Sequence, residues 1–163
     1  MVDSFETPIA WPSLPGVQKK FYLGKKKCHT VKTQIVTDKR GEVIALNPGY
    51  PGPLPDKTLY QESRAARQYL QAARRGDLGY LGVPEILLPH KKKRGKKGEK
   101  VKDLTLEQKA ENQHGARVYV EHGVRRVKAW RILRDEFRLG VGLFSLVASA
   151  TVGLVHLARL CPG

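Results

Sequence analysis

The stretch CHTVKTQIVTDKRGEVIALNP, residues 28 to 48, contains two β-rich runs separated by a short polar segment. Threonine, valine and isoleucine dominate residues 28–38, the second run covers 41–48, and side chains of this kind favour extended backbone. The residues between the two runs, 38–41, read DKRG and have the composition of a tight turn. The pattern predicts a β-hairpin, so an antiparallel strand pair is the first element of the fold.

The segments on either side of the hairpin extend this pattern. Residues 2–9, VDSFETPI, predict a short strand that starts close to the N-terminus. Residues 47–55 are rich in proline and glycine and predict a loop. Beyond the loop, 56–75 carries apolar residues at near-helical spacing and predicts a helix, with Asp56 as its N-cap.

The second half of the chain begins with two short strand-like pieces, at residues 76–83 and 85–90. The next twelve residues, 91–102, include eight lysines or arginines, and this density of like charge predicts a loop. Residues 104–137 predict one long helix that begins with a capping box between Thr105 and Gln108 and bends at Gly115 or Gly123. The predicted class is therefore α/β.

The C-terminal segment is apolar and contains no acidic residue between positions 139 and 160. Its length is sufficient for a membrane span, but glycines, serines and a histidine interrupt it. A buried or dangling terminal helix is favoured over a membrane helix. The organisation predicted is a domain over residues 1–138, followed by an apolar helix or degenerate tail over 139–163.

The chain is strongly basic. Its 163 residues include 30 lysines and arginines against 15 aspartates and glutamates, a net charge of +15. This balance favours a polyanionic partner, most commonly nucleic acid, although a merely solvated basic surface would have the same composition. Cys28 and Cys161 have no metal-ligand spacing and indicate a reducing cytoplasm. The N-terminus lacks the pattern of a secretory signal.

Three carboxylates, Asp3, Asp77 and Glu121, are the candidate catalytic groups. Phosphodiester cleavage by two metal ions needs carboxylates that converge on ions about 4 Å apart, and Mg²⁺ accepts a few carboxylates together with water and phosphate oxygens. Each acid also has an ordinary interpretation. Asp3 suits a solvated terminus, Asp77 suits a cap of the 78–80 turn, and Glu121 suits an ion pair one helical turn away.

Five segments together resemble one known family. In chain order they provide a first-aspartate strand, a hairpin with a glycine-rich turn ending in aspartate, a second-aspartate motif, the segment that follows it, and a glutamate helix. They are residues 2–9, 25–59, 76–82, 88–95 and 117–133. This order resembles the DDE-type transposases of bacterial insertion sequences, in the endonuclease group that also includes the Harbinger-like elements.

The resemblance implies a ribonuclease-H-like mixed sheet flanked by helices. It further implies that Asp3, Asp77 and Glu121 bind two Mg²⁺ or Mn²⁺ ions and catalyse hydrolysis and strand transfer at transposon ends. Asp56 competes for the second aspartate position, and Asp77 is preferred because the order of elements sets it beside the first strand. The alternative hypothesis is an inactive transposase remnant or a non-catalytic basic nucleic-acid-binding protein.

The resemblance also assigns DNA contacts and partners. Arg117 and Lys128 are implied to orient Glu121 and contact the DNA backbone. Two further basic runs are predicted to grip phosphates; they are Lys25, Lys26, Lys27, Lys91, Lys92, Lys93 and Arg94. A helix-turn-helix region is expected from a separate chain or an upstream reading frame, the active unit is expected to be a homodimer near the nucleoid, and no membrane role is expected. Trp11 and Trp130 are predicted to pack in the core or between helices, with stacking on an unpaired base as the alternative.

Overall fold

A long central strand organises the sheet of this computed structural model, which describes residues 1–63, 74–90, 103–113 and 117–160. The strands are β1 (Val2–Pro8), β2 (Tyr22–Leu23), β3 (Cys28–Thr37), β4 (Val43–Pro51), β5 (Arg74–Arg75) and β6 (Ile86–Leu87). The helices are α1 (Pro15–Phe21), α2 (Asp56–Glu62), α3 (Leu106–Gln113), α4 (Arg117–Lys128), α5 (Arg131–Arg134) and α6 (Phe144–Leu160). Short 3-10 turns cover Leu78–Tyr80 and Val141–Leu143.

The predicted strand at the N-terminus and the predicted hairpin are both confirmed. β3 pairs antiparallel with β1, from Val2 opposite Val36 to Pro8 opposite Thr30. On the hairpin side it pairs antiparallel with β4, and its first two residues pair with β2. The predicted loop over 47–55 was wrong in its first half, because β4 continues to Pro51 after a shift in register between Lys32 and Gln34.

The two faces of the sheet bury different apolar clusters. Because residues opposite each other in an antiparallel pair share a face, the alternation along β1 and β3 separates these clusters. The face that carries Phe5 and Ile35 packs against α4 and α6, and we call it the helix face. The other face carries Val2 and Val36 and packs with Tyr60 and Tyr80, and we call it the turn face.

The predicted long helix over residues 104–137 was wrong in its last part, since α4 ends at Lys128 and the short helix α5 begins at Arg131. The capping box at the start of α3 is confirmed, because Thr105 N donates to Gln108 Oε1 at 3.1 Å and Gln108 N donates to Thr105 Oγ1 at 3.2 Å. Residues 114–116, which include the predicted bend at Gly115, lie outside the described residues. The other predicted bend, Gly123, lies inside α4.

The segment between the sheet and α3 also differs from the prediction. The helix predicted over 56–75 was wrong at its end, because α2 covers Asp56–Glu62 and Arg74–Arg75 form strand β5; 64–73 lie outside the described residues. Pro55 occupies the N-cap position and Asp56 is the first helical residue, so Asp56 is not the N-cap. The first of the two predicted strands is a 3-10 turn, while the second is confirmed as β6, which pairs in parallel with β5.

The apolar C-terminal segment forms α6 and packs along one side on the sheet. Phe144, Ala148 and Val152 join the same core as Phe5 and Val31. The stretch Val141–Leu160 is long and apolar enough to cross a membrane, a property it shares with core helices, and 22% of it is buried. With an antiparallel sheet, a parallel strand pair and several helices, the predicted α/β class is confirmed.

Candidate carboxylate site and nucleic-acid interface

The outer edge of β1, on the side away from β3, is defined by the hydrogen-bonding pattern of the strand. Thr37 N donates to Met1 O at 2.8 Å, and Ile9 N donates to His29 O at 3.0 Å. Odd-numbered residues of β1 therefore bond to β3, since these bonds alternate along an antiparallel pair. The backbone groups of the even-numbered residues consequently point to the outer edge.

Asp3 places its carboxylate at this edge. It pairs with Ile35, so its side chain leaves the strand on the helix face. Its Oδ1 accepts a hydrogen bond from Ser4 N at 2.7 Å, and Ser4 N is one of the groups that point away from β3. The prediction that Asp3 lies on the first strand is confirmed, and its half-buried side chain is not a solvated end of the chain.

Asp56 lies on the turn face of the sheet, directly beside β1. Its Oδ1 accepts hydrogen bonds from Ser4 Oγ at 2.6 Å and from Lys32 Nζ at 3.0 Å. The Lys32 side chain is buried and also donates to Leu54 O at 2.7 Å. The first residue of α2 can therefore lie against β1. Asp77 was preferred over Asp56 because the order of elements set it beside the first strand, and the position of Asp56 weakens this reason.

Asp77 follows β5, and its carboxylate lies next to Gly79, as does the carboxylate of Asp56. Its side chain caps the following 3-10 turn, with Oδ1 accepting from Gly79 N at 2.7 Å. A Cβ added at Gly79 would lie 2.7 Å from Asp56 Oδ2 and 2.9 Å from Asp77 Oδ1. The sum of these two distances is the upper bound on the separation of the two oxygens, so both aspartates occupy one small region. Asp77 also has its ordinary capping role.

Tyr80 connects the three aspartates electrostatically. Burial raises the pKa of its phenol well above the ordinary value, the interaction with the Gln34 side chain partly offsets this, and the negative charges of Asp56, Asp3 and Asp77 raise the pKa further. The phenol oxygen and both amide atoms of Gln34 are buried, and in the part of the chain that the structure describes none of them has a hydrogen bond of normal geometry. The turn face thus presents a buried polar cluster next to the carboxylates.

Glu121 lies on the other side of β1, in the helix that covers the helix face. A Cβ added at Gly123, two residues further along α4, would lie 2.6 Å from Thr37 Cγ2 and 3.8 Å from Ile35 Cδ1. Gly123 therefore lies at the level of Ile35, which is the sheet partner of Asp3. Glu121 comes two residues earlier in α4, less than one helical turn from this level. Its side chain is half-buried.

The carboxylates do not form a closed metal cage. Within residues 1–63, 74–90, 103–113 and 117–160, no three or more His, Cys, Asp or Glu side chains gather as a metal-ion site. The grouping of Asp56 and Asp77 around Gly79 nevertheless suits Mg²⁺, which is commonly held by one or two carboxylates together with water and phosphate oxygens.

Lys128, predicted to contact DNA, is half-buried at the outer edge of β1. Its Nζ lies 5.1 Å from the centre of the Phe5 ring and donates to Glu6 O at 3.4 Å. Burial lowers the pKa of Lys128, the charge of Lys26 lowers it further, and Glu6 opposes these effects. The Lys128 ammonium therefore lies on the same edge as the Asp3 carboxylate.

The other predicted DNA contacts fall into three groups. Lys25, Lys26 and Lys27 are exposed in the turn between β2 and β3, and Lys26 pairs with Glu6 at 2.5 Å. Arg117 begins α4, but its side chain lies outside what the structure describes. Residues 91–94, the predicted basic grip, also lie outside the described residues.

A cavity of about 630 Å³ opens beside Asp77. Its walls come from the start of β1, the segment around β5 and β6, and α3; they include Met1, Arg75, Asp77, His90 and Glu111. His90 Nε2 lies 2.6 Å from Glu111 Oε2, and Asn112 bonds to both backbone groups of His90. These bonds fix α3 against the strand that follows the Asp77 turn.

Lys32 and Gln34 are two members of the site that were not predicted from the sequence. Both lie in a strand of mostly β-branched residues and alternate with the apolar positions Val31 and Ile35. This alternation predicts that they face the side of the sheet opposite these apolar residues. The contact with Asp56 joins residues distant in the sequence, and no local pattern encodes it.

Comparison with known proteins identifies one family and one curated relative. The sequence model of the family described as DDE superfamily endonuclease matches residues 2–156. The chain is 34% identical over 163 residues to the probable transposase for insertion sequence element IS702 of Microchaete diplosiphon. The match covers 96% of this chain and 55% of that protein, so the chain spans about half the length of this curated relative. No solved structure matches.

Proposed function

Because the chain belongs to the DDE superfamily endonuclease family, we propose that it is the catalytic part of a transposase. Its reaction is metal-dependent hydrolysis of DNA at transposon ends, followed by transfer of the freed 3′-hydroxyl to target DNA. The observation that carries this proposal is the grouping of Asp56 and Asp77 around Gly79 beside β1, where Ser4 bonds to the carboxylates of both Asp56 and Asp3. The IS702 relative, named as a probable transposase, supports the same activity.

The proposed metal ligands are Asp3, Asp77 and Glu121. Bound Mg²⁺ or Mn²⁺ ions supply Lewis-acid activation of the attacking oxygen and stabilisation of the leaving oxygen, two ions being the usual number for this chemistry. The chain's own residues orient these oxygens. Asp3 and Glu121 approach from the helix face, and Asp77 approaches from the β5 side of the same strand edge.

Asp77 is the preferred second aspartate for an electrostatic reason. The Lys32 ammonium already lies 3.0 Å from Asp56 Oδ1, and this positive charge opposes a divalent cation on the same oxygen. No lysine or arginine ammonium or guanidinium is paired with Asp77 among the described residues. Asp56 then anchors α2 to β1 through its hydrogen bond from Ser4 Oγ.

The proposed partner is DNA, and the net charge of +15 supports it. Lys128 and the lysines at the β2–β3 turn provide positive charge at the edge where Asp3 lies. We further propose that recognition of the transposon ends comes from a helix-turn-helix region outside this chain, and that two copies act on paired ends. The proposed location is the cytoplasm, in association with the nucleoid.

Nicking of supercoiled plasmid DNA tests the proposal. We expect nicking to require Mg²⁺ or Mn²⁺, and we expect Asp3→Asn, Asp77→Asn and Glu121→Gln each to reduce it by about 100-fold or more, because each removes a negative metal ligand. Glu107→Gln is the matched control, since this exposed carboxylate lies on α3 but not in the wall of the cavity. DNA retention on a filter should be similar in all variants.

The same assay distinguishes the two aspartates and the alternative function. Loss of nicking in Asp56→Asn, with normal nicking in Asp77→Asn, would assign the second ligand to Asp56 and reverse the preference above. If all variants and the unaltered chain retain DNA but none of them nicks it, the chain is a non-catalytic basic nucleic-acid-binding protein. The strong positive charge is the observation that favours this second candidate.

A further inference from the structure

Three rings form an exposed aromatic patch at the far end of β1, and we define the patch as Trp11, Tyr22 and His29. The Trp11 side chain is 73% exposed and the Tyr22 side chain is 45% exposed, whereas His29 is buried between them. The ring centre of His29 lies 4.8 Å from that of Trp11 and 5.4 Å from that of Tyr22. The prediction that Trp11 packs in the core was therefore wrong.

The backbone holds Trp11 in this exposed position. Immediately before it, Ala10 N donates to Phe137 O at 3.2 Å, and Ile9 N donates to His29 O at 3.0 Å. Immediately after it, Pro12 O accepts from Gln18 Nε2 at 2.8 Å. Tyr22 is fixed in turn by its pairing with His29 between β2 and β3. A large exposed ring whose backbone is already held in place is well suited to stacking, because binding then costs little conformational entropy.

The sequence around the patch is rich in lysine, although one of these lysines, Lys26, is paired with Glu6. From residue 7 to residue 37 the sequence contains no aspartate or glutamate. Five exposed lysines lie in α1 and in the β2–β3 turn; they are Lys19, Lys20, Lys25, Lys26 and Lys27. Aromatic rings surrounded by lysines match the chemistry of a nucleic acid strand whose bases are unpaired, because such a strand offers both phosphates and open base faces.

We propose that the aromatic patch binds an unpaired segment of DNA, with nucleobases stacked on Trp11 and Tyr22 and phosphates bound by the neighbouring lysines. Double-stranded DNA is a poorer occupant, since pairing and stacking hide the faces of its bases. Trp11 lies eight residues along the chain from Asp3, which is roughly 25 Å of extended strand. The patch is therefore a site separate from the carboxylates, and it shares with the proposed function only the choice of DNA as partner.

The test uses the full chain in buffer with a chelator, so that metal-dependent cleavage plays no part. Because the chain has two tryptophans, Trp130→Phe leaves Trp11 as its sole tryptophan fluorophore. We expect this variant to show quenching of Trp11 fluorescence when an oligothymidine of about ten nucleotides is added. An oligonucleotide of the same length and charge, with abasic sites in place of the thymidines, should bind more weakly and quench little.

Substitutions then separate stacking from charge. Trp11→Ala should weaken binding of the oligothymidine about tenfold and leave binding of the abasic strand unchanged, while Trp11→Phe should retain most of the affinity. Lys25→Ala should weaken binding of both strands to a similar degree. Equal affinity for the two strands in the Trp130→Phe chain, or unchanged oligothymidine binding in Trp11→Ala, would overturn the proposal.

Nicking and Trp11 quenching report separately on the carboxylate site and on the aromatic patch. Asp77→Asn should abolish nicking but leave the Trp11 quenching intact, because Asp77 lies at the other end of β1. The quenching measurement needs no substitution inside the patch, so it tests the stacking even if Trp11→Ala does not fold. A chain that quenches without nicking supports the patch alone.

Discussion

Lys32 has a charged side chain in a buried position, and its partners explain why it is tolerated there. The ammonium bonds to Asp56 Oδ1 at 3.0 Å and to Leu54 O at 2.7 Å, and Glu6 Oε1 lies 3.8 Å away. Such a charge is stable in the interior only if its hydrogen bonds are satisfied. Lys32 therefore joins β3, the loop before α2 and the site aspartate into one unit.

Removal of this ammonium should destabilise the fold. We expect Lys32→Met to lower the free energy of unfolding by about 2 kcal/mol, less than for a fully buried pair because Asp56 remains partly exposed. The double variant Lys32→Met with Asp56→Asn should recover part of this loss, since it leaves no unpaired charge. Urea denaturation measures both, and Lys39→Met, in the exposed hairpin turn, is the control. Equal stabilities for Lys32→Met and Lys39→Met would contradict the expectation.

Lys128 should make DNA binding sensitive to alkaline pH. Burial and the charge of Lys26 lower the pKa of Lys128 below its usual 10.5, so it loses its proton before an ordinary lysine does. Phosphate binds the charged form, and affinity should therefore fall as pH rises through this lowered pKa. The effect on folding has the opposite sign, because the cost of burying the charge disappears over the same range. Fluorescence anisotropy from neutral pH to about 10 measures the affinity.

The control for this titration is Lys128→Met. It should bind DNA more weakly at neutral pH and should lack the early part of the alkaline decline. The same decline in the unaltered chain and in Lys128→Met would assign the titration to other groups. Lys19→Met, an exposed lysine on α1, should lower affinity without removing the early decline.

For the individual acids, the sequence predicted the secondary structure that carries each one better than it predicted the neighbouring side chains. Asp3 was predicted on a strand and Glu121 on a helix, and the structure confirms both placements. Asp77 was expected on a strand but caps a 3-10 turn, because Gly79 and Gly82 favour a tight turn there. The contact between Asp56 and Ser4 joins positions 52 residues apart, which periodicity along the chain does not encode.

At the scale of elements, β-pairing was predicted more reliably than the helices. The hairpin carries its own turn, so local composition was sufficient to predict it. Helical periodicity over residues 104–137 continued through Ala129 and Trp130, where the structure ends α4 and begins α5. The Leu133 side chain is fully buried and its backbone oxygen accepts from Thr7 Oγ1 at 2.7 Å. This tertiary packing against β1 overrides the local preference for one continuous helix.

The glycines of α4 and α6 should respond in opposite ways to the same substitution. At Gly123 a Cβ would lie 2.6 Å from Thr37 Cγ2 and 3.2 Å from Gly41 O, so alanine must push α4 away from the sheet. At Gly153 a Cβ would meet nothing within 4 Å. We expect Gly123→Ala to lower the free energy of unfolding by about 1–3 kcal/mol and Gly153→Ala to raise it by up to about 1 kcal/mol. Thermal or urea denaturation measures both, and a gain in stability from Gly123→Ala would show that α4 is not held so closely.

Gly123→Ala should also affect the proposed chemistry. Glu121 lies two residues before Gly123 in α4, so a shift of the helix moves this carboxylate relative to Asp3. We expect nicking to fall by at least about tenfold in Gly123→Ala and to remain normal in Gly153→Ala, because small misplacements of catalytic groups are costly. Loss of nicking in both variants would point to a general effect on folding.

On the scale of the whole molecule, the excess positive charge should dominate the binding of DNA, but not every lysine contributes equally. Some basic side chains are neutralised internally; in the described residues Arg126 and Arg159 pair with Glu42, and Lys26 pairs with Glu6. A lysine that already has a carboxylate partner brings less net charge to a phosphate. The measured salt dependence should therefore reflect the unpaired lysines more than the composition.

The β2–β3 turn allows this expectation to be tested with neighbouring residues. Lys25 and Lys26 are both exposed, but only Lys26 is bonded to a carboxylate, that of Glu6, among the described ion pairs of this turn. Binding of a DNA duplex releases one condensed counterion for roughly every neutralised phosphate, so Lys25→Ala should reduce the slope of log affinity against log salt by about 1. Lys26→Ala should reduce it by clearly less, because the Lys26 ammonium is held by Glu6 and therefore neutralises less phosphate charge. Anisotropy titrations between about 50 and 200 mM salt give these slopes. Equal reductions for the two variants would show that the pair with Glu6 opens when DNA binds and that the whole turn acts as one basic surface.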